Sequence, residues 1–164
     1  MGKSLIPQGG SDLVMTPDYL AKKIVAHFNP FGKKCLEPCR GDGAFMRAFS
    51  ELGINPEWCE ITEDEDFFEY KDKVDWIITN PPYSILSNFL QHSLTVADNI
   101  VLLVLGNAMF FKKRVRLIKE AGYGFKEFIF VDTPPAPWPQ FGIQLAVVHI
   151  QKGYSGSVRF TYGI

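Results

Sequence analysis

The stretch Val74-Asp75-Trp76-Ile77-Ile78-Thr79, followed by Asn80-Pro81-Pro82-Tyr83, constrains this chain more than any other. Residues 74–79 are an apolar run with an early acid, rich in β-formers, and predict a strand. Two successive prolines cannot continue it inside a sheet, because neither supplies a ladder N–H. The strand stops there, and the rigid backbone leaving it presents an amide side chain, main-chain carbonyls and an aromatic ring. Such a group suits a planar molecule with an exocyclic amine. The ring stacks on its face while the amide oxygen and a carbonyl accept the amine hydrogens. Taken alone, the stretch reads more simply as a proline turn ending a strand, with Tyr83 in the core.

The rest of the chain supplies the context that this choice needs. Thr16-Pro17 predicts a helix start, with Thr16 as N-cap and Pro17 in the first turn. Leu20, Ile24 and Phe28 then fall on one face, and Asn29-Pro30-Phe31-Gly32 ends the helix. A short strand around Cys35-Leu36 leads into Glu37-Pro38-Cys39-Arg40-Gly41-Asp42-Gly43, after which Phe45, Ala48, Phe49 and Leu52 keep helical spacing up to Gly53. Strand, glycine loop and helix are how α/β proteins bring backbone close to a small ligand. Gly41 and Gly43 permit that approach, although a G-x-G alone is equally a plain turn.

Residues 57–61 predict a second strand. Glu60, at its end, stands 17 residues after Gly43, near the distance at which an acid on the second strand meets ribose hydroxyls. The acids 63–66 that follow are mostly solvated charge, and Phe67-Phe68 interrupts them where the chain touches something apolar. Beyond Tyr83, an apolar helical face of Leu86, Phe89, Leu90, Leu94 and Ala97 is capped by Ser84 or Ser87. The continuous apolar run 100–105 is a strand buried on both faces. Lys112, Lys113, Arg114, Arg116 and Lys119 decorate a helix whose apolar face is Val115, Ile118 and Leu117. That cluster is either a solvated face or a phosphate-contacting patch.

Residues 125–131 and 144–150 are two further strands, joined by a connection with four prolines that carries Trp138 and Phe141. The residues after 150 show no role. Strand–helix alternation followed by two strands with no helix between them predicts an α/β fold, a mostly parallel sheet with a C-terminal antiparallel hairpin strand.

At 164 residues the chain predicts one domain, 1–164, with a flexible arm over 1–14. The polar first ten residues hold no apolar signal core, and no apolar run reaches a membrane span, so the expectation is a cytoplasmic protein with no membrane partner. Cys35, Cys39 and Cys59 match no zinc spacing, and no metal is expected. The net charge of −1 is low for a protein that binds nucleic acid through its own surface.

Together, the Thr16-Pro17 helix start, Glu37-Pro-x-x-Gly-x-Gly-x-Phe45 and Asn80-Pro-Pro-Tyr83 resemble the S-adenosylmethionine-dependent amino-methyltransferases, above all the DNA adenine-N6 methyltransferases. The resemblance runs over residues 16–150, in an order like that family's gamma arrangement. It implies a Rossmann-like methyltransferase fold and S-adenosylmethionine as cofactor. By that resemblance Thr16 meets the cofactor carboxylate, and the loop with Glu37, Cys39, Gly41 and Gly43 holds its methionyl end. Glu60 takes the ribose, and Asp66-Phe67 lies at the adenine ring. Asn80, Pro81, Pro82 and Tyr83 are the catalytic group, with Asn80 also beside the cofactor.

Tyr83, Trp138 and Phe141 are expected to meet the substrate base, and Lys112, Lys113 and Arg114 its phosphates. Cys39-Arg40 departs from the small residues commonest there. No recognition region of the kind carried by sequence-reading members is visible, which suggests a small form helped by a separate recognition subunit or a homodimer. DNA is the expected partner. An RNA or protein-glutamine amino-methyltransferase stays open, as does a cofactor-binding subunit without catalysis.

Overall fold

The computed structural model describes residues 14–164, so the arm expected over 1–14 lies outside it except for Val14. Helix α1 (Asp18–Phe28) begins with Pro17 as its cap, whose carbonyl accepts the N–H groups of Leu20 and Ala21 at 3.0 and 3.1 Å. The expectation that Thr16 caps this helix is corrected, because its hydroxyl is engaged elsewhere, with consequences for the site. Strand β1 (Cys35–Glu37), α2 (Ala44–Glu51) and the short β2 (Glu57–Trp58) follow.

Strand β3 (Val74–Thr79) ends immediately before Asn80, as the two prolines require. Then come α3 (Leu86–Val96), β4 (Ala97–Leu105), α4 (Lys112–Glu120), β5 (Tyr123–Val131) and β6 (Leu145–Lys152). Among the described residues the N-cap of α3 is Ile85, which makes no side-chain cap, so neither Ser84 nor Ser87 stands at the expected cap position. The chain then adds β7 (Arg159–Tyr162), which the sequence reading missed.

The sheet order is β2-β1-β3-β4-β6-β5-β7. β1 to β4 pair in parallel, while β6 inserts antiparallel between β4 and β5. The hairpin is therefore present, but its returning strand is interior and β7 forms the edge, parallel to β5. Alternation along β4 divides the core. Val101 and Leu103 face α1 and α2, whereas Ile100, Leu102 and Val104 face α3 and α4. Each such fully buried aliphatic side chain contributes about 1.5–3 kcal/mol. On α4, Ile118 is buried and Leu117 partly so, but Val115 is exposed, which corrects the expected apolar face.

The late strand β7 is held through one buried carboxylate. Glu127 on β5 accepts from Arg159 Nε and Nη2 (3.0 and 2.7 Å), from Thr161 (2.6 Å), and pairs with His27 at the end of α1 (3.1 Å). Burial works against ionisation, but these partners prevail and take the Glu127 carboxyl down to about 2. Among the described residues no helix is long and apolar enough to cross a membrane.

Candidate functional site

Because β5 runs parallel to β4, the loops after β1, β3, β4 and β5 all leave at one rim of the sheet. A cavity of about 580 Å³ opens there. Its wall brings together Cys39 and Gly41 of the glycine loop, Glu60 beyond β2, Asp66 and Phe67 of the next turn, and Asn80 and Pro82 after β3. Six of the nine residues expected to hold a cofactor thus line one space. The sequence reading missed its apolar lining of Ile61, Phe68, Ile85 and Phe89, along with Met15. A smaller adjoining pocket collects Thr16, Arg40 and Asp42 against the same loop.

Asn80 is fixed by tertiary contacts. Its Nδ2 donates to the Val14 carbonyl at 2.9 Å and to Thr16 Oγ1 at 3.2 Å. With both amide hydrogens used on the chain side, the amide cannot flip without losing them, and Oδ1 is the atom left for the cavity. This is where the Thr16 hydroxyl goes instead of capping α1.

Glu60 holds the glycine loop. Its Oε2 accepts the Gly41 N–H at 2.8 Å, and its Oε1 accepts from Thr62 N and Oγ1 at 3.2 and 2.9 Å. Burial would raise its pKa, but these donors hold the carboxyl below the ordinary range, so it stays ionised. Gly41 has φ +53°, the left-handed region that a side chain disfavours. Asp66 caps the turn Phe67–Glu69 by accepting the Phe68 N–H at 2.9 Å. The Phe67 ring is buried against Phe89, with centroids 4.8 Å apart. The departure at Cys39-Arg40 also acquires a reason. The Arg40 guanidinium lies 4.0 Å over the Trp58 ring and pairs with Glu63, pinning the loop to the end of β2.

Glu37 lies beneath the loop and does not line the cavity. It is 0% exposed; Oε1 accepts from Cys39 N (2.9 Å) and Thr79 Oγ1, while Oε2 has no partner. Burial pushes its carboxyl up to about 8, the nearby Glu60 charge adds to this, and the two donors oppose it. Because the folded pKa lies above the unfolded value, the protein loses stability as pH rises from about 4.5 through 8. Glu37→Gln is therefore expected to flatten the fall in melting temperature across that window. An unchanged slope would show that Glu37 does not hold its proton.

Other expected residues are placed differently. Gly43 caps α2 and lines neither pocket. Tyr83 does not line the cavity; its ring packs against the α3 side of the core and its hydroxyl makes a long 3.5 Å contact to the Leu103 carbonyl. Burial raises the pKa of that phenol, which therefore stays neutral. Trp138 is 7% exposed and packs among the residues between the sheet and α1, so this ring serves the core and not a substrate surface. Phe141 is half-buried in the same connection.

Arg114 is also committed. It donates through Nε to Ser87 Oγ and through Nη1 to the Ala108 carbonyl, contacts that the basic run did not suggest. Lys112 and Lys113 are exposed.

No family model matches the sequence. The type II methyltransferase M.TthHB8I of Thermus thermophilus is 30% identical over 154 residues, covering 76% of this chain and 35% of the relative. This chain thus spans about a third of that relative's length. Among solved structures, a candidate class I S-adenosylmethionine-dependent methyltransferase from Listeria monocytogenes aligns with TM-score 0.68 at 12% identity, over 94% of this chain and 68% of that one. A candidate RNA methyltransferase from Pyrococcus horikoshii aligns with TM-score 0.66 at 14% identity, over 84% of this chain and 83% of that one. The chain has the Rossmann-like methyltransferase fold. The 30% identity to the Thermus protein supports a methyltransferase domain on that fold.

Proposed function

We propose that the chain transfers a methyl group from S-adenosylmethionine to the exocyclic N6 amine of adenine in DNA. The observation that carries this is the Asn80 amide, tied back through Nδ2 to Val14 and Thr16 and so offering Oδ1 at the cavity. The cavity fits the cofactor. The ionised Glu60 suits a ribose diol, Phe67 and Ile61 give apolar walls for a purine, and the bare Gly41 backbone admits the methionyl part. S-adenosylmethionine supplies a sulfonium methyl whose bond to sulfur breaks, with its electron pair, as the new N–C bond forms.

The chain's own residues make the amine a nucleophile. Adenine N6 is poor because its lone pair is delocalised into the ring. The Asn80 Oδ1 and the Pro81 carbonyl accept its two hydrogens, which draws the nitrogen toward tetrahedral geometry and frees the lone pair. One of these protons leaves after transfer. Pro82 stiffens the turn that holds both acceptors, so little reorganisation is needed at the moment of reaction. The base must leave its stack to reach them; the Tyr83 ring, packed against the core, begins the turn that follows these acceptors. Phe141 belongs to the connection after β5, which leaves the sheet at the same rim.

Nucleoside mass spectrometry on DNA from cells expressing the chain tests the reading. N6-methyladenine is expected to rise with the wild type and not with Asn80→Ala. Methylation found only in RNA or on protein glutamine, or none at all, overturns it. The near-neutral chain suits a separate recognition subunit or a homodimer that extends the DNA surface.

A further inference from the structure

The turn between β4 and α4 was not singled out by its sequence, yet it carries two large apolar side chains in the open. Phe110 is 53% exposed and Phe111 is 51% exposed. Each has a backing on one face. Phe110 lies near-parallel to the core residue Phe128, with centroids 5.5 Å apart and planes at 17°. Phe111 is covered on one side by the Arg114 guanidinium, 5.3 Å from its centroid. Arg114 also reaches the Ala108 carbonyl and Ser87 Oγ, fastening this turn to α3, the helix that follows Tyr83. Lys112 and Lys113 come next; both are exposed, and no ion pair involves either among the described residues. The turn follows β4, whose parallel neighbour β3 delivers Asn80, so both stand at one rim.

Aromatic rings held rigid from behind, beside unpaired cations, are the chemistry that binds unstacked bases and their phosphates. A duplex offers no base faces to such rings, and a chain of net charge −1 has little to hold a duplex by charge alone. We propose that Phe110 and Phe111 form a stacking platform for an unpaired stretch of DNA, with Lys112 and Lys113 on its phosphates, which leads the strand toward the Asn80 cavity. This deepens the methyltransferase reading and rests on it only for the choice of DNA as partner.

Fluorescence anisotropy with a labelled mixed-sequence single strand, and with the same strand annealed to its complement, tests the platform without any methyl donor. The wild type is expected to favour the single strand. Stacking on one ring accounts for about a five- to hundred-fold change in affinity, so Phe111→Ala should weaken binding by that range and Phe111→Trp should restore it. Lys112→Glu with Lys113→Glu should weaken it too and shallow its dependence on salt. S-adenosylmethionine affinity should be unchanged in every variant, which separates a lost platform from a lost fold.

Single-strand binding that is unaltered in Phe111→Ala, a preference for the duplex, or no binding by the wild type overturns the platform. So does a wild-type dimer that Phe111→Ala dissociates without loss of DNA affinity, because the rings then serve a second copy. A chain that binds single strands through Phe111 but leaves DNA unmethylated in cells would keep the platform and overturn the methylation reading.

Discussion

Asn80→Ala is expected to slow methyl transfer in single turnover by about 10²–10³-fold, the usual cost of removing one group that stabilises developing charge in a dry site. Cofactor affinity should change far less, because the lost acceptor matters most as the amine pyramidalises. The contacts to Val14 and Thr16 sharpen this expectation. Asn80→Asp keeps an acceptor but loses both donors and sets a carboxylate against the Val14 carbonyl, so it should fall between alanine and wild type. Thr16→Val leaves Val14 as the only partner of the amide. It should lower the rate by about two- to ten-fold, the worth of one neutral hydrogen bond, and Thr16→Ser should restore it. An undiminished single-turnover rate in Asn80→Ala would remove this side chain from the chemistry.

That double contact also shows where sequence reading stops. Thr16-Pro17 has the pattern of a helix start, and a helix does start there. The threonine oxygen, however, is taken by a residue 64 positions away, a pairing no local pattern contains. The strands were legible wherever an apolar run was long, as at 74–79 and 100–105, because burial on both faces leaves a continuous signature. Strand β7 was not, since Arg159-Phe160-Thr161-Tyr162 makes sense as a strand only beside β5 and the Glu127 carboxylate.

Charge and aromaticity alone misled in both directions. Arg114 sits in a basic run yet serves as a clamp, and Trp138 sits in a proline-rich loop yet fills the core. Phe110 and Phe111, which no sequence pattern singled out, stand open at the rim. Six of the nine residues expected at a cofactor do gather around one cavity, because they follow strand ends and a parallel sheet brings its strand ends together.

Gly41→Val is expected to abolish measurable S-adenosylmethionine binding while the fold survives. At φ +53° a β-branched residue is strained by about 1–3 kcal/mol. Its Cβ would also meet Met15 Sδ at 3.4 Å, on the wall of the cavity itself. Glu60→Ala should act on the same loop from the other side. It leaves the Gly41 N–H without its 2.8 Å acceptor and removes the charge offered to the ribose. A hydrogen bond to a charged group is worth about 1.5–3 kcal/mol, so affinity should fall by roughly 10–150-fold. Glu60→Gln separates the two parts, because its amide oxygen can still take the Gly41 N–H while the charge is gone. Intermediate affinity there would assign part of the loss to the ribose contact, and wild-type affinity would assign all of it to the loop. Calorimetric titration reads all three variants, with thermal melts as the check on folding. Wild-type affinity in both Gly41→Val and Glu60→Ala would mean that the cofactor binds somewhere other than beneath this loop.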